Sequence, residues 1–237
     1  MNKIILNIFI LLTSTIGLTQ NKTNTSDNVN PGEKSVITTK QQINQMHNSA
    51  LLIRLKTRKN SIAALRKSGQ NKKADKIESR QAEFNTKVIN AFKTNFDFCP
   101  TYFFYSDYSQ AIMDKKFEDV EFLNDSLQYD PNITFNNKSF LTAEFGLIEQ
   151  DTARYFDGYY HTTSEGNGLE KRTKYNGGPN MSFRALIIKN EQFLQLGRPF
   201  PYYARTLSSL PIFKRQPKTV IKKMNDQLHS FYQSINN

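Results

Sequence analysis

Phe96-Asp97-Phe98-Cys99-Pro100 followed by Thr101-Tyr102-Phe103-Phe104-Tyr105 is the stretch on which the reading of the fold turns. Five β-favouring residues, four of them aromatic, run from 101 to 105 directly after a proline, which predicts a buried strand. Upstream the pattern is helical and downstream it is mixed. Together these predict a mixed α/β or α+β domain rather than an all-helical one.

Working back from Phe96, apolar residues recur at spacings of three and four: Leu51, Leu55, Ile62 and Leu65, then Ile77, Phe84, Val88 and Ala91. That spacing predicts two amphipathic helices, 39–67 and 71–95, turning at Ser68-Gly69, where a glycine follows a basic turn. A single long helix that tolerates Gly69 is the alternative, since an interior glycine costs only about 1 kcal/mol. Working forward, Ser106 and Asp107 are candidate caps for a short helix through Ala111, Ile112 and Phe117, and Val120, Phe122 and Leu123 suggest a second strand in a βαβ-like unit.

Phe140 to Ile148 alternates, with Leu141, Ala143, Phe145 and Leu147 on one side and Thr142, Glu144 and Gly146 on the other, so it predicts a strand. From Glu149 to Met181 the pattern gives way to Asp157-Gly158, Glu165-Gly166-Asn167-Gly168 and Asn176-Gly177-Gly178-Pro179, a run of turn residues. Phe183 to Ile188 and Phe193 to Leu196, around Lys189-Asn190-Glu191, predict a β-hairpin. Pro217 then opens an amphipathic helix carrying Ile221, Met224, Leu228, Phe231 and Ile235. The expected organisation is a signal peptide at 1–19, a flexible tether at 20–38, a helical hairpin at 39–95 and an α/β core at 96–237, the last two forming one compact unit.

The signal peptide follows from Met1-Asn2-Lys3 and the apolar run Ile4 to Leu12, broken only by Asn7, with Gly17-Leu18-Thr19 suiting cleavage before Gln20. The run is too short to span a bilayer, and no later stretch is apolar enough to do so. Export without any possible intrachain disulfide, Cys99 being the single cysteine, fits a bacterial periplasm or secreted fraction, in a chain rich in Lys, Asn and Ile. Sequons at Asn21, Asn24, Asn132 and Asn137 are expected by chance in so Asn-rich a sequence. Cys99, flanked by apolar neighbours, reads as a buried side chain rather than a nucleophile.

Charge is the clearest functional signal. Of a formal net +11, residues 51–80 hold ten Lys and Arg against Asp75 and Glu78. Arg58, Lys59, Arg66, Lys67, Lys72 and Lys73, at and around the hairpin tip, are therefore the candidate binding residues for an anionic envelope component or a protein partner. No aromatic residue is interleaved with them, so base stacking and specific nucleic-acid binding are not expected. With 18 Phe and 11 Tyr but no Trp, most rings belong to the core, and Tyr202 and Tyr203 are the better candidates for exposure.

His47, His161 and His229 form no metal-ligand spacing, so neither a metal site nor a cofactor is expected. No G-x-S-x-G, S-x-x-K or P-loop is present. If the chain is a hydrolase or transferase acting on an envelope substrate, the candidates are His161 with Asp157 and Glu165, in the turn-rich segment. The order strand, helix, strand, further strands and terminal helix, with Arg198-Pro199-Phe200-Pro201 near the later strands, loosely resembles a thioredoxin-type core. The C-x-x-C of that family is absent, so no redox activity follows.

Overall fold

The structure, a computed structural model, describes residues 31–136, 139–148, 155–156, 160–162, 169–171, 174–175, 183–208 and 211–236. The expected signal peptide lies outside them, as does the tether up to residue 30. The chain enters as helix α1 (Pro31–His47), so residues 31–38 are helical rather than part of a tether.

Strand β1 (Leu51–Leu55) comes next and is the main correction to the expected helix at 39–67. Leu51 and Leu55 do stand four apart, but Leu51, Leu52 and Ile53 are contiguous and all buried. A strand covered on both faces reads as an unbroken apolar run with no period of its own, which is what a parallel central strand presents. The helical hairpin survives in shorter form as α2 (Lys59–Lys67) and α3 (Asn71–Asn95), with Gly69 at φ +73° in the turn between them. Ala74, Val88, Ile89, Ala91 and Phe92 give α3 its buried face.

Strand β2 (Thr101–Tyr105) forms where expected, followed by a 3-10 turn at Ser106–Tyr108 and the short helix α4 (Ser109–Met113). Val120, Phe122 and Leu123 make no full strand: Phe122 bridges Phe104 and Leu123 bridges Tyr129. Strand β3 (Leu141–Leu147) forms where expected, but its burial does not alternate: Thr142 and Glu144 are buried along with Leu141 and Ala143, and Leu147 is 57% exposed. Within the turn-rich region the two-stranded ribbons β4 (Tyr155–Phe156) with β7 (Lys174–Tyr175) and β5 (Tyr160–Thr162) with β6 (Leu169–Lys171) are described. Strand β8 (Arg184–Lys189) then returns antiparallel to β3.

The expected partner of β8 at 193–196 contributes one bridge, Lys189 to Gln195. Asn190 explains it: its side-chain oxygen accepts the N–H groups of Gln192 and Leu194, and Phe193 takes φ +57°, so the chain curls instead of extending. The true outer neighbour is β9 (Tyr203–Arg205), and α5 (Pro217–Asn236) closes the fold.

The sheet order is β2-β1-β3-β8-β9, with β2, β1 and β3 parallel. One face, from Leu51, Ile53, Phe103, Leu141, Ala143, Leu186 and Ile188, packs on α3, α5 and α1. The other, from Leu52 and Phe104, is covered by Ile112, Val120, Phe122, Phe135 and Phe140. Covering on opposite faces is what the two successive crossovers, β1 to β2 and β2 to β3, require when they run in opposite directions along the sheet. The molecule is a mixed α/β protein. No helix of the described residues is long and apolar enough to cross a membrane.

Candidate functional site

Charge is concentrated in three places, each built differently. The first is the hairpin. Arg58 caps α2 at φ 58° and its Nε donates to Gln81 at 2.7 Å. Lys59 pairs with Asp107 at 3.3 Å, and Arg66 reaches both Asp75 at 3.3 Å and Glu78 at 2.6 Å. The Asp75 hydrogen bond and the charge of Glu78 raise the Arg66 pKa, holding it in place as a clasp between α2 and α3. Two of the six expected binding residues, Lys59 and Arg66, are therefore engaged by carboxylates. Arg54 and Lys56, counted in the same basic stretch, belong to β1 and the turn after it and face the sheet.

What remains on the hairpin is ordered by helix geometry. Lys72, Lys76 and Arg80 stand at i, i+4 and i+8 on α3, with Lys73 beside them, on the side away from buried Ala74. With Lys67 on α2 they are exposed, and none makes a salt bridge among the described residues. Lys73 donates to Gln70, a neutral partner, at 2.7 Å.

The second place is the sheet face at the carboxyl ends of β1 and β3. The register sets Ile53 beside Ala143, which places Arg54 next to Glu144. Glu144 is 7% exposed, accepts from Arg54 Nη1 at 2.6 Å, and lies 3.2 Å from Lys189 Nζ and 3.9 Å from Lys56 Nζ. Arg54 Nε also donates to Ser109 Oγ at 2.7 Å, tying β1 to α4. Burial pushes the Glu144 pKa up, but Lys56, Arg54 and Lys189 outweigh it, so the carboxyl titrates below its ordinary value. Lys56 is shifted down, by burial first and by its cationic neighbours against the pull of Glu144. Every cation here has the same carboxylate as its partner, so the cluster neutralises itself in part and holds three elements together.

The third place was not anticipated from sequence. Between β9 and α5 lies a cleft of about 750 Å³ whose walls include Arg198, Arg205, Arg215 and Lys223. None of these four makes a salt bridge among the described residues, and no carboxylate lines the cleft. Arg205 is laid over the Phe183 ring with its guanidinium carbon 3.9 Å from the centroid, and Arg215 Nη1 donates to the Arg205 carbonyl at 3.3 Å. Pro199, Pro201 and Tyr203 add apolar wall, while Tyr202, expected to be exposed, is 7% exposed and lines it from within. Gln227 also lines it, with its Oε1 enclosed and accepting no hydrogen bond among the described residues.

The remaining candidates are placed as follows. His161 is on β5 with its Cα opposite Glu170, whereas Asp157 and Glu165 lie outside the described residues. His229 and Asn225 of α5 both bond Asp97 Oδ1 at 2.8 Å, and the Asn225 bond, with that of His229 second, lowers the Asp97 pKa. Asn225 Oδ1 in turn accepts the N–H groups of Asp97 and Phe98 at 3.1 and 3.2 Å, so this constellation pins α5 to the entry of β2. Cys99 is buried and desolvation pushes its thiol up to about 12, a poor nucleophile as expected. No group of three metal-ligating side chains is present among the described residues.

The signal for the cleft was available in the chain. Residues 192–225 carry seven Lys and Arg and no Asp or Glu. Comparison with protein-family profiles, with curated proteins and with solved structures finds no match in any of the three. What can be said of function therefore rests on the geometry above.

Proposed function

We propose that the protein is exported to a bacterial envelope and serves there as a binding module, docking on an anionic envelope component through the outer face of α2 and α3. The observation that carries this is the stripe Lys72, Lys73, Lys76 and Arg80, exposed on one side of α3 and making no salt bridge among the described residues, with Arg80 feeling the charge of Glu83. A convex helical face with that charge suits an extended polyanion or an anionic lipid surface, which can meet several cations at once. The signal-like residues Met1 to Thr19 support the address.

The address is tested by mass spectrometry of the chain recovered from an envelope or secreted fraction. A mature N-terminus at Gln20 is expected, and a full-length chain confined to the cytoplasm defeats the export reading. The surface is tested by binding to vesicles containing anionic lipid and by elution from heparin over a salt series. At an anionic surface each nearby cation contributes about 1 kcal/mol, so K72E/K73E/K76E should weaken vesicle partition by about 100-fold or more at low salt. The effect should shrink as salt shortens the screening length to ~8 Å near physiological strength. Unchanged partition and elution in that variant would rule the hairpin face out.

A further inference from the structure

We propose that the cleft between β9 and α5 is a binding site for an anionic saccharide, a sugar ring bearing a phosphate or a carboxylate. Four cations share one concavity of about 750 Å³, within the range of small-molecule sites. Walls of low polarizability focus their potential into the cleft, and like charges so gathered repel one another unless an anion joins them.

Two of the cations are pre-positioned. Phe183 supports the Arg205 guanidinium without neutralising it, and the bond from Arg215 Nη1 to the Arg205 carbonyl anchors the second guanidinium to β9. Guanidinium forks match the oxygens of phosphate or carboxylate, and anchored ones have less side-chain entropy left to lose on binding. Arg198 and Lys223, both exposed, add two further cations to the lining.

Gln227 points to more than a bare anion. Its Oε1 is shut off from solvent and has no donor among the described residues, a cost of about 1–3 kcal/mol that is relieved when the amide turns into the cleft it borders and meets a ligand hydroxyl. Sulfate offers no hydrogen to satisfy it, whereas a sugar hydroxyl does. Pro199, Pro201 and Tyr203 present apolar surface to the C–H face of such a ring.

The test is calorimetric titration of the mature chain beginning at Gln20, at low ionic strength, with glucose 6-phosphate, glucuronate, glucose, sulfate and a hexaglutamate peptide. At least one of the two sugar acids should bind with a Kd of about 1 mM or tighter, and the better of the two names the anionic group. Sulfate should bind about tenfold more weakly and glucose should give no heat of binding. R198Q/K223Q should cost the sugar acid about tenfold in affinity, and Q227L should erase its advantage over sulfate. In the unaltered protein the Tyr203 ring resonances should shift on adding the sugar acid, a readout that stands even if a variant misfolds. The K72E/K73E/K76E protein should bind the sugar acid normally, which separates this site from the hairpin face. The assignment is overturned by sugar acids binding no better than sulfate, by unchanged affinity in R198Q/K223Q, by loss of sugar binding in the hairpin variant, or by preference for hexaglutamate.

Discussion

Glu144 gathers Arg54, Lys56 and Lys189 around one buried carboxylate, while the cleft beside β9 gathers Arg198, Arg205, Arg215 and Lys223 around none. The two regions sit on the same sheet and carry similar numbers of cations. They differ in what the cations face. In the first, desolvation is offset inside the protein, so the cluster belongs to folding. In the second, the compensation has to come from outside. A cationic group is thus read by its partners rather than by its count, and the hairpin shows both kinds on one element: Arg66 is clasped by Asp75 and Glu78, and Lys72 and Lys76 are exposed without a salt bridge among the described residues.

The largest effect that would break this contrast is on the Glu144 side. Removing its charge in E144Q leaves Arg54 and Lys189 facing an uncharged amide in a buried setting, a change expected to cost about 3–5 kcal/mol. Urea unfolding of the two proteins measures it, and a loss below about 1 kcal/mol would mean that the cluster is solvated like an ordinary surface pair. Acid titration sharpens the same point. The folded carboxyl titrates below its ordinary value of 4.5, so its contribution is complete above that value and is lost as pH falls through the lower, folded one. The stability difference between the parent and E144Q should therefore hold near neutrality and close in acid. A gap that stayed open under acid conditions would contradict the geometry.

Much of the fold was legible from residue type and spacing. The β-favouring runs at Thr101 to Tyr105 and Leu141 to Leu147 mark strands, and α5 buries Ile221, Met224 and Leu228 at the spacing its sequence shows, whereas β3 buries Thr142 and Glu144 along with Leu141 and Ala143, and Phe84 of α3 stays exposed. Strand β1 was not legible, since a strand buried on both faces has no alternation and Leu51 with Leu55 imitates a helix turn. Strand β9 is only three residues long and follows two prolines, and its place beside β8 is set by tertiary packing. The cleft escaped for a different reason, which is averaging. Residues 97–165 hold thirteen acids against four Lys and Arg, so the sum over the chain beyond the hairpin hides the seven cations of 192–225. A sliding charge window finds that stretch, but only folding brings Arg198, Arg205, Arg215 and Lys223 to one cleft.

The smallest expected effect lies on the cleft side, and its sign carries the argument. If the four cations have no internal compensation, neutralising two of them should relieve repulsion rather than remove support. R198Q/K223Q is then expected to be slightly more stable than the parent, by about 0.5 kcal/mol at low salt, on the scale of exposed charge interactions. In a domain of this size that is a rise in Tm of about 1–2 °C. In about 1 M salt, where the screening length falls to ~3 Å, the two melting temperatures should converge. Thermal melts at the two salt concentrations read both statements. A fall in Tm at low salt would show that Arg198 or Lys223 supports the fold through a carboxylate, which would make the cleft a second Glu144-type cluster. A rise that vanishes with salt is the behaviour of a site whose charge is held ready for a ligand at a small cost in stability.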